Sequence, residues 1–79
     1  ARVNGLLRLR TLASMKEWKS LAGRAVSEPS LRTQADEARV RTKTYAREWL
    51  DFAREAGRDT TQPMDICLSA ANAEACGFQ

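Results

Sequence analysis

Residues Leu31–Ala56 read LRTQADEARVRTKTYAREWLDFAREA. Within them Leu31, Ala35, Ala38, Thr42, Tyr45, Trp49, Phe52 and Ala56 recur at alternating steps of four and three. That is a mean period of about 3.5 residues, the period of a helix that lies along another helix. Pro29 disfavours a helical Glu28 and suits a first helical position, while Gly57 is a natural left-handed stop. The spacing therefore predicts a long helix over about 29–56, a rod of roughly 40 Å. Its charges sort onto two further faces. Arg32, Arg39, Lys43, Arg47 and Arg54 form one, and Glu37, Glu48, Asp51 and Glu55 form the other. Glu37 with Arg41 and Arg47 with Asp51 are i,i+4 pairs worth a few tenths of a kcal/mol each.

Upstream, Ser14-Met15-Lys16-Glu17 fits a capping box, in which a serine hydroxyl and a glutamate carboxylate satisfy free backbone N–H groups. Met15, Trp18, Leu21, Ala22, Ala25 and Val26 then share one helical face. Leu6, Leu9 and Ala13 fall on the opposite side, which argues for a break near Thr11–Ser14. A helix over about 15–26 is expected, joined to the long one through Ser27-Glu28-Pro29-Ser30. Residues 1–13 are then a basic N-terminal arm, and 14–79 a single small helical domain. Pro63 suits a helix start and Gly77 a helix end, which predicts a short third helix over about 63–76 with Phe78 packing back on it. The expected fold is all-α: a hairpin of a shorter and a longer helix plus a short C-terminal helix.

Seventy-nine residues make one domain, and a chain of this length buries only roughly 60% of the surface its unfolded form exposes. Thirteen of its apolar residues are alanine, which contribute little burial. The chain reads as short of core, so a partner subunit or a second copy is expected to supply surface. A helix of about 15–26 covers only half of the long one. The aromatic row Trp18, Tyr45, Trp49 and Phe52 is thus expected to be partly core and partly a partner-binding stripe. Thr42 interrupts the apolar row, and the backbone of its own helix offers its hydroxyl an acceptor.

The net charge of +3 is unevenly spread. Residues 1–27 carry six basic groups against one acidic, residues 28–56 six of each, and residues 57–79 one against three. Arg2, Arg8 and Arg10 of the arm, with Arg32, Arg39, Lys43 and Arg47, are the candidate contacts to an anionic surface or to phosphates. The first thirteen residues also have the basic, leucine-rich, acid-free composition of an organellar targeting segment.

The chemistry this sequence excludes is wide. It has no histidine, no G-x-S-x-G, no P-loop and no G-x-G-x-x-G, and Asp36 and Glu37 point to different faces. No enzyme, cofactor or metal site is expected. Two cysteines are too few for a zinc site. On one continuous helix Cys67 and Cys76 lie about 13.5 Å apart along the axis, too far for a disulfide with each other. Two reduced thiols are expected, hence an intracellular, reducing location, with a mitochondrion or plastid as the further expectation from the N-terminal composition. No run of about 20 apolar residues crosses a bilayer.

Thr42-Lys43-Thr44-Tyr45-Ala46-Arg47-Glu48-Trp49-Leu50-Asp51-Phe52, followed by Gly57 and Pro63, resembles the helix near the start of the SAM-like core-binding domain of tyrosine recombinases. In that family a Thr precedes a Tyr, a large apolar residue and a Phe follow at helical spacing, and a Pro opens the next helix. The resemblance implies a helical module that grips DNA through its phosphates. It covers about 20 residues, the helix here runs on upstream of Thr42 where the family's does not, and the family's catalytic half is absent. Two functions are therefore expected in order. The first is a non-catalytic docking protein, an accessory or assembly subunit of a larger complex. The second is a DNA-binding module using the basic residues named above. Neutral charge over residues 28–56 counts against the second.

Overall fold

A computed structural model describes residues 2–77. Helix α1 spans Arg2–Ala25, a short 3-10 turn follows at Pro29–Leu31, α2 spans Arg32–Glu55 and α3 spans Thr61–Ala70. The described residues hold no strand. The all-α expectation and the order of helices hold; the first helix does not have the expected length. It runs without a break through Thr11–Ser14, so residues 2–13 belong to the same helix as residues 14–25. The outward row of Leu6 and Leu9 reads as a mismatch only if every apolar row must face the core. Here that row faces solvent and the helix continues through it.

The two long helices have 24 residues each and lie antiparallel. Asn4 meets Trp49, Ser14 meets Thr42 and Glu17 meets Arg41, so position numbers rise on one helix as they fall on the other. The seam is built of small side chains. Ala35, Ala38, Thr42, Ala46 and Ala53 of α2 are buried, as are Thr11, Ser14 and Ala25 of α1. Small residues lose little rotamer freedom and let two backbones lie close together.

Ser14 is not a helix cap. It is buried in mid-helix, and its Oγ lies 2.8 Å from the Thr42 Oγ1. The Thr42 hydroxyl donates to the Ala38 carbonyl at 2.8 Å, as its place in the apolar row suggested. With the Thr42 proton committed there, Ser14 is the donor to Thr42. Thr11 donates to the Leu7 carbonyl at 2.7 Å. The three buried hydroxyls are all satisfied, and no buried side-chain N or O among the described residues lacks a partner.

The buried face of α2 turns along its length. Leu31, Tyr45 and Phe52 are only half-buried and Ala56 is exposed, whereas Ala46, Leu50 and Ala53 are fully covered. A straight helix drifts by about 20° per heptad from a strict 3.5-residue repeat. The drift carries the buried face toward α3, which packs on the C-terminal half of α2. One cluster, Ala46, Trp49, Ile66, Cys67 and Cys76, joins α2 to α3, with Leu7, Leu12 and Met15 of α1 packed against it.

Gly57 adopts φ +65° and ends α2 as expected. Before α3, the Asp59 carboxylate accepts the Thr61 backbone N–H at 2.9 Å and the Thr61 hydroxyl at 2.8 Å. These two bonds, the backbone one first, hold the Asp59 carboxyl below its ordinary value of 3.8. A carboxylate depressed in the folded state stabilises it above the ordinary value, and that support fades as pH falls through the lowered one.

The hydroxyl chain yields a test. Thr42→Val keeps the shape but leaves the buried Ser14 without its acceptor, and is expected to cost about 1–3 kcal/mol in urea unfolding. Adding Ser14→Ala removes the orphan, so the double variant should recover much of that loss. Additive losses would show that the two hydroxyls are not coupled.

Candidate functional site

Part of the basic face of α2 is used within the chain. Arg39 Nη1 donates to the Ala70 carbonyl at 2.7 Å, which caps the last residue of α3. Arg47 Nη1 donates to the Ala75 carbonyl at 2.7 Å, and its Nε to Asp51 at 3.1 Å, the i,i+4 pair expected from the sequence. Arg54 lies against Gly77, where an added Cβ would sit 3.1 Å from the guanidinium. Gly77 also has φ +86°, so a side chain there meets two obstacles at once. Arg39 and Arg47, about two turns apart, therefore tie the end of α3 and the turn beyond it to α2, with Arg54 lying beside Gly77. Sequence reading placed them on one face but carried no signal for the carbonyls they reach.

That segment corrects the reading of the cysteines. Helix α3 stops at Ala70 and Ala71 is extended. The Asn72 side chain then accepts the Ala75 N–H at 2.7 Å and starts a separate turn. An asparagine bonding its own backbone in this way competes with helix continuation. The chain doubles back and Cys67 and Cys76 form a disulfide, with Cα atoms 5.9 Å apart. The premise of one continuous helix to Cys76 fails, and with it the expectation of two reduced thiols. Asn72 was the residue in the sequence that could have revealed the turn. The expected packing of Phe78 lies outside the described residues.

The aromatic row is mostly used within the chain. Trp49 is 3% exposed and its indole N–H donates to the Asn4 carboxamide oxygen at 3.1 Å. Tyr45 is half-buried beneath Arg10, whose guanidinium carbon stands 4.1 Å from the ring centre. Phe52 and Trp18 are half-buried. Because α1 is as long as α2, the Trp49–Phe52 end does not lack a cover: the first two turns of α1 lie beside Trp49. Trp18 borders a small groove of about 230 Å³ near the hairpin turn, with Ala22, Val26 and Arg32.

The remaining basic candidates divide. Arg8 donates to Gln62 at 3.4 Å and Arg10 pairs with Glu48, tying α1 to its neighbours. Arg41 pairs with Glu17 across the hairpin at 3.2 Å rather than with Glu37. Arg2 and Arg32 are exposed and enter no ion pair among the described residues. Lys43 borders a groove between α2 and the 71–77 segment.

The surface feature that sequence reading saw but misjudged is the outer face of α1. Leu6 is 66%, Leu9 61% and Val3 52% exposed. Helical spacing puts Arg2, Arg10, Ala13 and Lys16 within the same arc, and no acidic residue precedes Glu17. Among the described residues no cluster of three metal-ligating side chains occurs, and no helix is long and apolar enough to cross a membrane. No protein-family model matches the sequence, and no curated protein or solved structure matches it at a significant level.

The disulfide closes a loop of nine residues' separation. Loop-closure entropy makes such a link worth about 2–3 kcal/mol. The Cys67→Ser, Cys76→Ser double variant is expected to lose that much in urea unfolding, with helical content at zero denaturant nearly unchanged. Among the described residues, the buried hydrophobic set is six alanines, two cysteines and, as large side chains, Trp49, Leu50 and Ile66, so little else offsets the loss. An unchanged urea midpoint would show that the link does not support the fold.

Proposed function

We propose that this chain is a non-catalytic docking protein, an accessory or assembly subunit that receives an acid-flanked helix of another protein on the outer face of α1. The observation that carries this reading is the exposed row Val3, Leu6 and Leu9 set within an acid-free cationic stretch. Scattered exposed apolar residues need no explanation, but three on one face of one helix are a docking pattern. The row replaces the α2 aromatic stripe as the binding surface, because Trp49 is held inside the chain. Charge argues for the nature of the occupant. A second copy meeting the row face to face would set Arg2 and Lys16 of one copy, cations unpaired among the described residues, against those of the other, since an isologous contact brings the same patch to itself. A partner helix with leucines between glutamates complements both the row and its rim. The Cys67–Cys76 disulfide supports a compartment that keeps cysteines oxidised, in place of the reducing one expected from the sequence.

The test uses two synthetic helical peptides with the same leucine heptads, one flanked by glutamate and the other by lysine. The glutamate peptide is expected to bind the oxidised chain in titration calorimetry, with affinity falling as salt rises. Leu6→Ser with Leu9→Ser should weaken it by about tenfold or more while leaving the unfolding midpoint within about 0.5 kcal/mol of the parent. Equal binding of both peptides, preferential binding to anionic vesicles, or dimerisation of the chain through the same leucines would each overturn the proposed occupant.

A further inference from the structure

A groove of about 440 Å³ lies between α2 and the turn after α3, and neither the docking reading nor the packing of the chain accounts for it. Arg39 and Lys43 line one wall, one helical turn apart on α2. Ser69, Ala71, Asn72 and Ala75 line the other. Most of the polar side chains there keep free donors; Ser69, whose hydroxyl donates to the Asp65 carbonyl at 2.9 Å, does not. Arg39 uses Nη1 on the Ala70 carbonyl and keeps its other N–H groups. Lys43 enters no hydrogen bond or ion pair among the described residues. Asn72 spends its side-chain oxygen on the Ala75 N–H, which leaves its NH₂ to donate. No carboxylate lines the groove.

The geometry points to a binding site for a small organic oxyanion, a phosphate or carboxylate carried on a short apolar body. Two cationic side chains and an amide NH₂ supply charge-assisted bonds, and the Arg39 fork is held in place by its bond to Ala70 before any ligand arrives. The α3 carboxyl end opposes an anion, and Arg39 offsets part of that by taking the terminal Ala70 carbonyl. The methyl groups of Ala71 and Ala75 offer the apolar body a surface, and the volume falls in the range of small-molecule sites. The second wall keeps its place because Cys67–Cys76 and Arg47 fix it on either side of Asn72.

Phenyl phosphate, benzoate and inorganic phosphate are the probes, each titrated into the oxidised ¹⁵N-labelled chain at low salt. Saturable amide shifts confined to Lys43, Ser69–Asn72 and Ala75 are expected, with a Kd of about 1 mM or tighter for at least one organic probe. A response to phenyl phosphate alone assigns phosphate chemistry, and a response to benzoate as well assigns oxyanions in general. Lys43→Met should weaken binding by about tenfold, whereas Lys16→Met, which removes the same charge from α1, should leave it unchanged. Lys43→Gln serves as the second variant if the methionine disturbs the fold. No saturation by about 20 mM, or equal loss in the Lys43 and Lys16 variants, would overturn the site.

Discussion

The structure depends on the close approach of α1 to α2. That approach exists because the facing residues are small: alanines on α2, and Thr11, Ser14 and Ala25 on α1. A seam of this kind gains modestly per residue from burial, since each methyl group removes little area from water. It gains instead from length and from close contact along 24 residues on each side. The hydroxyls at its centre cost nothing in unsatisfied polarity because each has an acceptor. The larger side chains then gather where a third element is available. Trp49 and Ile66 fill the space that α3 closes against the C-terminal half of the hairpin.

A thin core explains the tasks given to the polar residues. On α2 the cationic face looks like a surface for phosphate, yet its arginines reach backbone carbonyls at the end of α3 and in the turn beyond it. Carbonyls at a helix end have no partner within the helix, and a guanidinium beside them satisfies the bond and opposes the local dipole. The disulfide and the arginines thus secure one short segment from both sides. What remains outside this internal use is uneven: the leucine row of α1, and Lys43 with the open donors of its groove.

The long helix α2, the turn at 27–30 and the stop at Gly57 were legible because each rests on local chemistry: period, proline and glycine. Gly77 has the left-handed φ expected of it, but it lies in the turn beyond α3 and not at the end of that helix. The continuity of α1 was not legible, because Leu6 and Leu9 point away from the core and a rule that faces every apolar row inward turns them into a break. Ser14 was read as a cap from its spacing to Glu17, although the same serine, more than three turns into α1, serves as a buried donor. The cysteine pair was misjudged through one residue, Asn72, whose side chain competes with the helix and brings Cys76 back over Cys67. The roles of Arg39 and Arg47 depend on carbonyls 31 and 28 residues away, which no local pattern specifies.

The bond between Asn4 and Trp49 spans 45 residues. During synthesis the inner face of α1 therefore leaves the ribosome well before the residues that cover it. Ser14 has no partner until Thr42 has emerged, and Leu7 none until Ala46 and Trp49 have. The disulfide gives no help at this stage, because both of its cysteines follow the two long helices in the chain. Of the three helices, α1 is the one made before the elements that cover it.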